Sequence, residues 1–348
     1  MSPIDSAVPL GAAVPLGAAV RDPHPRPTFS FELYPPRSAA AEEQLLRSIE
    51  HLAAAGPEFI SVTYGANGSS RSSSLAVLLR LLAETDVEAM AHLTCVGSSY
   101  AEATRLIREF LDAGITNFLA LRGDPPEGAV EGDDFLGDLG SAGELVQLIH
   151  RVQAERAPFA QQDIPHFPGT KRLVSGSKVT IAVAAFPNGH PRSRSVEQDL
   201  DTLLAKEAAG ANLAITQLFF EADDYLRFVD QARAAGVTMR ILPGIMPVLS
   251  APRLRRIVEL TGERMPQPLL RALENEATPE GQATVGIEYA TGLSRAVLDT
   301  ERPGLHLYAF NQHEAVLAVL RGAGLITAST PEPTLASAAP IPNEREPR

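Results

Sequence analysis

The sequence predicts an α/β fold of the (β/α)8 type, a TIM barrel, and three observations support this. Strand-like and helix-like segments alternate eight times between residues 28 and 326. Several predicted strands are almost entirely apolar, as expected for parallel strands that are covered on both faces. The Gly-x-Gly-x-x-Gly fingerprint and the P-loop pattern, both typical of open doubly wound sheets, are absent from the sequence. The eight units therefore favour a closed barrel over an open sheet.

The first unit begins with the segment Thr28–Pro36, which alternates like a strand and is ended by two prolines. Alternation places three apolar residues on one face, namely Phe29, Phe31 and Leu33. The opposite face carries Ser30, Glu32 and Tyr34. Burial of an unpaired charge is costly, so Glu32 is expected to be partnered, protonated or catalytic. The alternative is an edge strand with Glu32 in water.

The remaining units follow along the chain in the same order. Strands are predicted at 59–65, 88–96, 117–124, 179–187, 213–220, 239–248 and 305–311. Helices are predicted at 39–55, 72–84, 99–113, 141–155, 195–209, 222–235, 251–261 and 313–322, with two short helices at 266–276 and 280–299. Glycine stands at four predicted helix ends, at positions 56, 114, 210 and 236, where it is a common C-cap residue.

Composition limits the classes of function. The chain has 348 residues and a formal net charge of −12, without a basic stripe, so nucleic acid and anionic membrane are not expected as partners. The single cysteine, Cys95, excludes an intrachain disulfide and indicates a reducing, cytoplasmic location. No apolar run approaches the ~20 residues that a membrane-spanning helix needs.

Both ends of the chain are predicted to be disordered tails, at 1–27 and 327–348, which leaves the barrel at 28–326. The first tail contains Ala-Val-Pro-Leu-Gly-Ala twice, at 7–12 and 13–18. Prolines and an aspartate interrupt any apolar run there, which argues against a signal peptide. A polar, proline-containing insertion at 156–178 is predicted to be a surface excursion.

Polar residues stand where the predicted strands end, and barrels of this type carry their active sites at the C-terminal ends of the strands. These residues are Glu32, Thr63, His92, Arg122, Asp124, His190, Gln217 and Asn311. The sequence predicts that they converge on one rim. Neither a Ser-His-Asp arrangement nor a His-Glu-x-x-His zinc motif is present, and no metal site is expected.

Simpler interpretations exist for several of these residues. Arg122 and Asp124 are two residues apart, hence on one strand face, and could form a plain salt bridge, while Gly123 would allow a ligand close to the backbone. His92 and Cys95 have a metal-like spacing, but on a strand they face opposite ways. Cys95 is therefore expected to be a small core residue.

The loop and helix after strand five also have a simpler interpretation. His190 lies in a loop rich in proline and glycine, where a histidine is often solvated. Asp199 and Lys206 could be ordinary solvated charges on the following helix.

Seven segments together resemble those of 5,10-methylenetetrahydrofolate reductase, of the bacterial type that consists of the catalytic barrel alone. They appear in that family's order and cover about residues 28–325. The segments are Phe31-Glu-Leu-Tyr-Pro-Pro36, Val62-Thr-Tyr-Gly-Ala-Asn67, His92-Leu-Thr-Cys95, Leu121-Arg-Gly-Asp124, Ala184-Ala-Phe-Pro-x-x-His190-Pro191, Gly210-Ala-Asn-Leu-Ala-Ile-Thr-Gln217 and Pro243-Gly-Ile-Met-Pro247.

The resemblance implies a flavoprotein of one-carbon and methionine metabolism. FAD would take hydride from NADH or NADPH and pass it to methylenetetrahydrofolate, giving 5-methyltetrahydrofolate. Glu32 would be the proton donor, Asp124 would lie beside flavin and folate, and Gln217 would contact folate. The implied flavin contacts are Thr63, His92, Arg122, Gly123, Asp124, Ala142, Phe186, His190, Asp199 and Lys206. Analogy with the family also implies a homo-oligomer.

The residue types suit those roles. Opening of the methylene bridge to a 5-iminium cation needs a proton on N10, and Glu32 beside Phe31 and Leu33 is expected to have a raised pKa. Asp124 as a carboxylate would favour the developing cation. Cationic groups are expected to hold the FAD pyrophosphate, and the candidates are Arg122, His190 and Lys206.

The chain departs from the family pattern at four positions. Phe186 and Ser141 stand where many relatives have tyrosine, Thr202 replaces an asparagine, and Gln312 stands where some relatives have arginine. Two other functions remain open at this stage. One is a related barrel flavoenzyme that oxidises an amino acid such as proline, and the other is a folate-binding barrel without turnover.

Overall fold

The computed structural model describes residues 27–36, 38–63, 69–124, 136–156, 160–163, 171–174, 179–300 and 303–327. The two segments predicted to be disordered tails lie outside the described residues, apart from Pro27 and Thr327. No helix within the described ranges is long and apolar enough to cross a membrane.

Eleven strands are present in the described residues. They are β1 (Phe29–Leu33), β2 (Phe59–Val62), β3 (Glu88–Thr94), β4 (Asn117–Leu121), β5 (Ala160–Asp163), β6 (Lys171–Val174), β7 (Thr180–Ala185), β8 (Leu213–Thr216), β9 (Arg240–Leu242), β10 (Gly244–Ile245) and β11 (Leu305–Tyr308). All except β5 and β6 belong to one parallel sheet, in the order β10-β11-β1-β2-β3-β4-β7-β8-β9.

This sheet is a closed barrel. Only Pro243 separates β9, which pairs with β8, from β10, which pairs with β11. Proline has no N–H to donate to a ladder, so it divides one strand position into two short strands. The Pro243 carbonyl still accepts a hydrogen bond from His306 N at 3.0 Å. The barrel therefore has eight strand positions, and the predicted (β/α)8 fold is confirmed.

Ten helices are described. They are α1 (Ala39–Ala54), α2 (Ser69–Glu84), α3 (Tyr100–Asp112), α4 (Ala142–Arg156), α5 (Val196–Ala208), α6 (Ala222–Ala235), α7 (Ala251–Thr261), α8 (Gln267–Asn275), α9 (Pro279–Leu298) and α10 (His313–Gly322). The largest core cluster lies between the helices and the outer face of the sheet, and it is mainly aliphatic. The glycines predicted at four helix ends all have positive φ, which suits a helix C-terminus.

Alternation along β1 is as predicted. Phe29, Phe31 and Leu33 belong to the core cluster on the helix side. Ser30 and Glu32 therefore face the barrel interior. A second cluster of inward-facing apolar residues fills the interior and contains Phe59, Met90, Leu119, Ala182, Leu213, Ile215 and Leu242.

The strand bounds are predicted less accurately than the strands themselves. Several predicted strands are too long, and β4 ends at Leu121, so Arg122 and Asp124 do not share a strand face. Arg122 and Asp124 lie in the segment that follows β4, whereas Glu32 and His92 remain within β1 and β3. Within the predicted insertion at 156–178, the described residues pair as the antiparallel strands β5 and β6, apart from the main sheet.

Candidate active site

Glu32 lies near the C-terminal end of β1 and has three polar neighbours from other strands. Its side chain is 18% exposed. The Thr63 hydroxyl, just after β2, donates a hydrogen bond to Glu32 Oε1 at 3.2 Å. Glu32 Oε2 lies 3.6 Å from His306 Nε2, on β11, and 3.8 Å from His92 Nε2, on β3. One carboxylate therefore faces a hydroxyl and two imidazoles inside the barrel.

These neighbours change the pKa expected for Glu32. Burial raises the pKa of Glu32. His92, His306 and the Thr63 hydroxyl together lower it by more than burial raises it, so the net pKa is below the ordinary value. The sequence-based expectation of a raised pKa is wrong for the ligand-free protein. The reason is topological: Phe31 and Leu33 point to the helices, so the carboxylate meets polar groups of β2, β3 and β11 instead.

The two imidazoles are buried and incompletely hydrogen-bonded. His92 is 3% exposed and His306 is fully buried. The Nε2 atom of each ring has no hydrogen-bond partner among the described residues. Burial lowers the pKa of His92, which favours its neutral form. Buried polar atoms without partners are rare, so both nitrogens indicate a place where a proton or a ligand is handled.

The segment after β4 brings its backbone close to the neighbouring loop. Gly123 has φ +85°, and a Cβ added there would lie 2.5 Å from Val96 Cγ2, so only glycine fits this turn. Cys95 N donates to the Arg122 carbonyl at 3.2 Å. Cys95 itself is a buried core residue, as predicted, and burial raises the pKa of its thiol to about 11. Asp124 is exposed, at the same end of the parallel barrel as Glu32.

The loop after β7 is tied to α5 by hydrogen bonds. His190 N donates to Asp199 Oδ2 at 3.1 Å, and the His190 and Phe186 rings meet edge to face at 4.7 Å between centroids. Lys206 Nζ donates to the Ala184 carbonyl at 2.8 Å. Burial lowers the pKa of Lys206 to about 8, although Asp199 opposes this. Asp199 and Lys206 are therefore held in place rather than extended into solvent.

The other predicted residues lie on the same rim with different roles. Gln217 follows β8, and its Oε1 accepts a hydrogen bond from Leu218 N at 2.9 Å. Ala142 is buried at the start of α4. The Asn311 side chain is bonded to both backbone polar groups of Tyr34, at 3.1 Å and 2.9 Å. Asn311 thus holds two loops together, and the structure does not bring it to Glu32.

Sequence reasoning missed two residues of β11. His306 faces Glu32 as described, and Tyr308 is the β-register partner of Glu32. The Tyr308 hydroxyl donates to the Thr216 carbonyl at 2.8 Å, and burial raises the pKa of Tyr308. Both alternate with apolar residues in Leu305–Tyr308, so the inward face of this strand could have been predicted from its polar positions.

A cavity of about 730 Å³ opens beside His190, between the ends of β7 and β8 and the helices α6 to α8. Asn188 stands at its edge, and its amide donates to Asp224 Oδ2 at 3.1 Å and Glu263 Oε2 at 2.8 Å. Burial raises the pKa of Glu263. Glu32, His92 and His306 do not line this cavity, so the cavity does not contain the group around Glu32.

The described part of the rim offers groups that suit an anionic ligand. The Nε2 atom of His92, which has no hydrogen-bond partner among the described residues, lies at the inner wall. Arg122, His190 and Lys206 supply cationic or proton-donating groups around the rim. No group of three or more His, Cys, Asp or Glu side chains in the described part of the chain is arranged to hold a metal ion.

The chain is similar to known proteins of one family. The family model described as methylenetetrahydrofolate reductase matches residues 19–324. The 5,10-methylenetetrahydrofolate reductase of Salmonella typhimurium is 33% identical over 299 residues, covering 85% of this chain and 90% of that protein. The Escherichia coli protein of the same name is 32% identical with the same coverage. Methylenetetrahydrofolate reductase (NADH) 1 of Arabidopsis thaliana is 31% identical over 86% of this chain and 49% of that protein.

One solved structure supports the fold alone. It is an uncharacterized protein from Clostridium thermocellum, described as binding two copies of 5-methyl-5,6,7,8-tetrahydrofolic acid. It superposes with a TM-score of 0.55 at 12% identity, over 86% of this chain and 94% of that chain.

Proposed function

The chain belongs to the methylenetetrahydrofolate reductase family, and on this premise we propose that it reduces 5,10-methylenetetrahydrofolate to 5-methyltetrahydrofolate with FAD and NADH or NADPH. The observation that carries the proposal is the position of Glu32. It is a carboxylate at the catalytic end of the barrel, fixed by Thr63 and faced by two imidazoles.

Glu32 is proposed to donate the proton that opens the substrate. The bridge between N5 and N10 opens to a 5-iminium cation when N10 is protonated, and only then can a hydride add. In the ligand-free protein the pKa of Glu32 is lowered, and its side chain retains some contact with solvent. A ligand that fills the mouth would remove this solvent and favour the protonated acid.

Two further residues are proposed to act on folate. Asp124 is exposed on the rim, where its carboxylate would stabilise the cation that forms as the bridge opens. Gln217 follows β8 and faces the interior by strand alternation, with its amide nitrogen available to a pterin. Gln217 directly follows β8, and Asp124 stands three residues after the end of β4.

FAD is proposed to be held by residues on the adjacent part of the rim. Bound FAD would supply the redox chemistry, taking hydride from the nicotinamide and delivering it to folate. Gly123 would contact the flavin through its backbone, since Val96 fills the direction of its missing side chain, and Arg122, His190 and Lys206 would face the phosphates. The other proposed contacts are Thr63, His92, Asp124, Ala142, Phe186 and Asp199.

The test is spectroscopic. Purified protein supplied with FAD should show flavin absorbance that bleaches with NADH or NADPH and returns when methylenetetrahydrofolate is added anaerobically. Comparison of the two nucleotides at equal concentration would define the preferred donor. A protein that neither binds FAD nor oxidises reduced nicotinamide would contradict the proposal. Flavin that is bleached by proline instead would favour the amino-acid-oxidising alternative.

A further inference from the structure

Ser30 and His306 form a buried pair directly below Glu32. They are register partners on β1 and β11, and both are at most 1% exposed. Ser30 Oγ lies 2.8 Å from His306 Nδ1 and 3.3 Å from the Leu305 carbonyl. The His306 ring also stacks against Phe59, at 5.8 Å between centroids. The imidazole is therefore fixed on one side, and only its Nε2 is directed at Glu32.

The Ser30 hydroxyl has one hydrogen and two acceptors within reach. If it donates to the Leu305 carbonyl, His306 Nδ1 carries a hydrogen that it donates to Ser30 Oγ, and a neutral ring then presents a lone pair at Nε2. If the hydroxyl donates to Nδ1, a neutral ring carries its hydrogen at Nε2. Ser30 can thus satisfy either tautomer of His306 without moving.

Each tautomer matches one state of Glu32. A lone pair at Nε2 accepts a hydrogen bond from protonated Glu32, whereas an N–H at Nε2 donates to the Glu32 carboxylate. The distance of 3.6 Å between Nε2 and Oε2 is longer than a hydrogen bond, but catalytic hydrogen bonds are often long before ligand binds. The absence of any other described partner for Nε2 leaves Glu32 as its natural counterpart.

We propose that His306, supported by Ser30, is a positioning residue that holds one hydrogen between its Nε2 and Glu32 Oε2 in both protonation states of Glu32. This rests on the proposed function. In each turnover Glu32 gives one proton to substrate N10, and the His306 ring changes tautomer as one proton leaves Nδ1 and another reaches Nε2. One proton from solvent restores the acid, and the tautomer then reverts with no net gain or loss of protons on His306. Other groups facing Glu32 are His92 on β3, Thr63 after β2 and Tyr308 on β11.

The experiment measures the pH dependence of two half-reactions in FAD-loaded His306→Phe and Ser30→Ala. Phenylalanine keeps an aromatic ring against Phe59 and removes both nitrogens, whereas alanine removes only the hydroxyl. Because His306 lowers the pKa of Glu32, its loss should raise the alkaline limit of the folate half-reaction by about one pH unit, with a lower plateau rate. Ser30→Ala should shift it in the same direction by less. Flavin reduction by NADH should be unchanged.

A second readout does not depend on turnover. The protonated-carboxyl band of Glu32, identified in infrared difference spectra by its loss in Glu32→Gln, should titrate at higher pH in His306→Phe. His51→Phe is the control, because His51 stacks on His313 outside the barrel. If Ser30→Ala and His306→Phe both leave the pH limit and the band unchanged, the inference is wrong. If Glu32→Gln itself keeps full folate reduction, the proposed acid, and with it the function of this site, fails instead.

Discussion

Lys206 offers a prediction in which stability and cofactor binding should change in opposite directions. Its ammonium is partly buried behind β7, and burial lowers its pKa from 10.5 to about 8. A shift of this size corresponds to about 3.4 kcal/mol against the charged form. Replacement by methionine removes this cost, but it also removes the hydrogen bond to the Ala184 carbonyl, worth about 1 kcal/mol. After a discount for residual solvent, Lys206→Met should stabilise the FAD-free protein by ~1–2 kcal/mol.

The pH dependence has a definite sign. At pH 7 the lysine is charged in both the folded and the unfolded chain, so the full penalty is present. Between about pH 8 and 10.5 the unfolded chain binds more protons at this site than the folded chain, so the stability of the wild-type protein gains relative to Lys206→Met. The advantage of the variant should therefore shrink across this range. Above it the wild type should be the more stable protein by about 1 kcal/mol, because only the hydrogen bond to the Ala184 carbonyl then distinguishes the two.

The assay is chemical denaturation of FAD-free protein at pH 7 and pH 10, together with FAD titration at pH 7. Lys206→Met should bind FAD ~10–100-fold more weakly, because a charge-assisted contact to phosphate is lost. Lys206→Arg is the matched control, since arginine stays charged at both pH values and should show no recovery of stability. A methionine variant that is no more stable at pH 7, or whose advantage persists at pH 10, would refute the reasoning.

Four further predictions test other parts of the rim. Glu32→Gln should retain FAD and its reduction by NADH but lose folate reduction, and unchanged turnover would exclude Glu32 as the acid. Asp124→Asn should slow only the folate half-reaction, ~10-fold or more by stopped flow, and an equal rate would leave Asp124 without a role in catalysis. Gly123→Ala should lower the free energy of unfolding by ~1–3 kcal/mol, because its φ is +85° and Val96 occupies the Cβ position; a denaturation midpoint equal to that of the wild type would contradict this. His92→Gln should reduce the loss of melting temperature on going from pH 7.5 to pH 5.5. Because the pKa of His92 is lowered in the folded protein, the unfolded chain binds more protons at this site, and the wild type loses stability as the pH decreases. Identical slopes for the two proteins would refute this.

The fold could be predicted from local sequence because each unit carries its own signals. Alternation along β1, the glycines after four helices and the apolar strands act over a few residues, and the structure confirms them. Strand ends were predicted less well. The predicted strand at 117–124 ends at Leu121 in the structure. Its ladder to β7 stops at Ala120 and its ladder to β3 stops at Leu121, although β7 itself continues to Ala185.

The candidate site was predicted in part. Glu32, Thr63 and His92 were identified because polar residues at strand ends are unusual, and the structure places them together. His306 was missed because it is 274 residues from Glu32 and meets it only when β11 closes the barrel beside β1. The hydrogen bonds of Asp199 to His190 and of Lys206 to Ala184 could not be predicted from the helical pattern of α5, because they reach the loop and the strand before it.

The sequence by itself determined the number of units, the inward face of the first strand and the residue types at the rim, because these depend on periodicity and on backbone chemistry. Only the tertiary structure decided the protonation chemistry of Glu32. Burial raises its pKa, and His92 on β3, His306 on β11 and Thr63 after β2 lower it below the ordinary value. Such an electrostatic environment depends on distances in space rather than on neighbours along the chain.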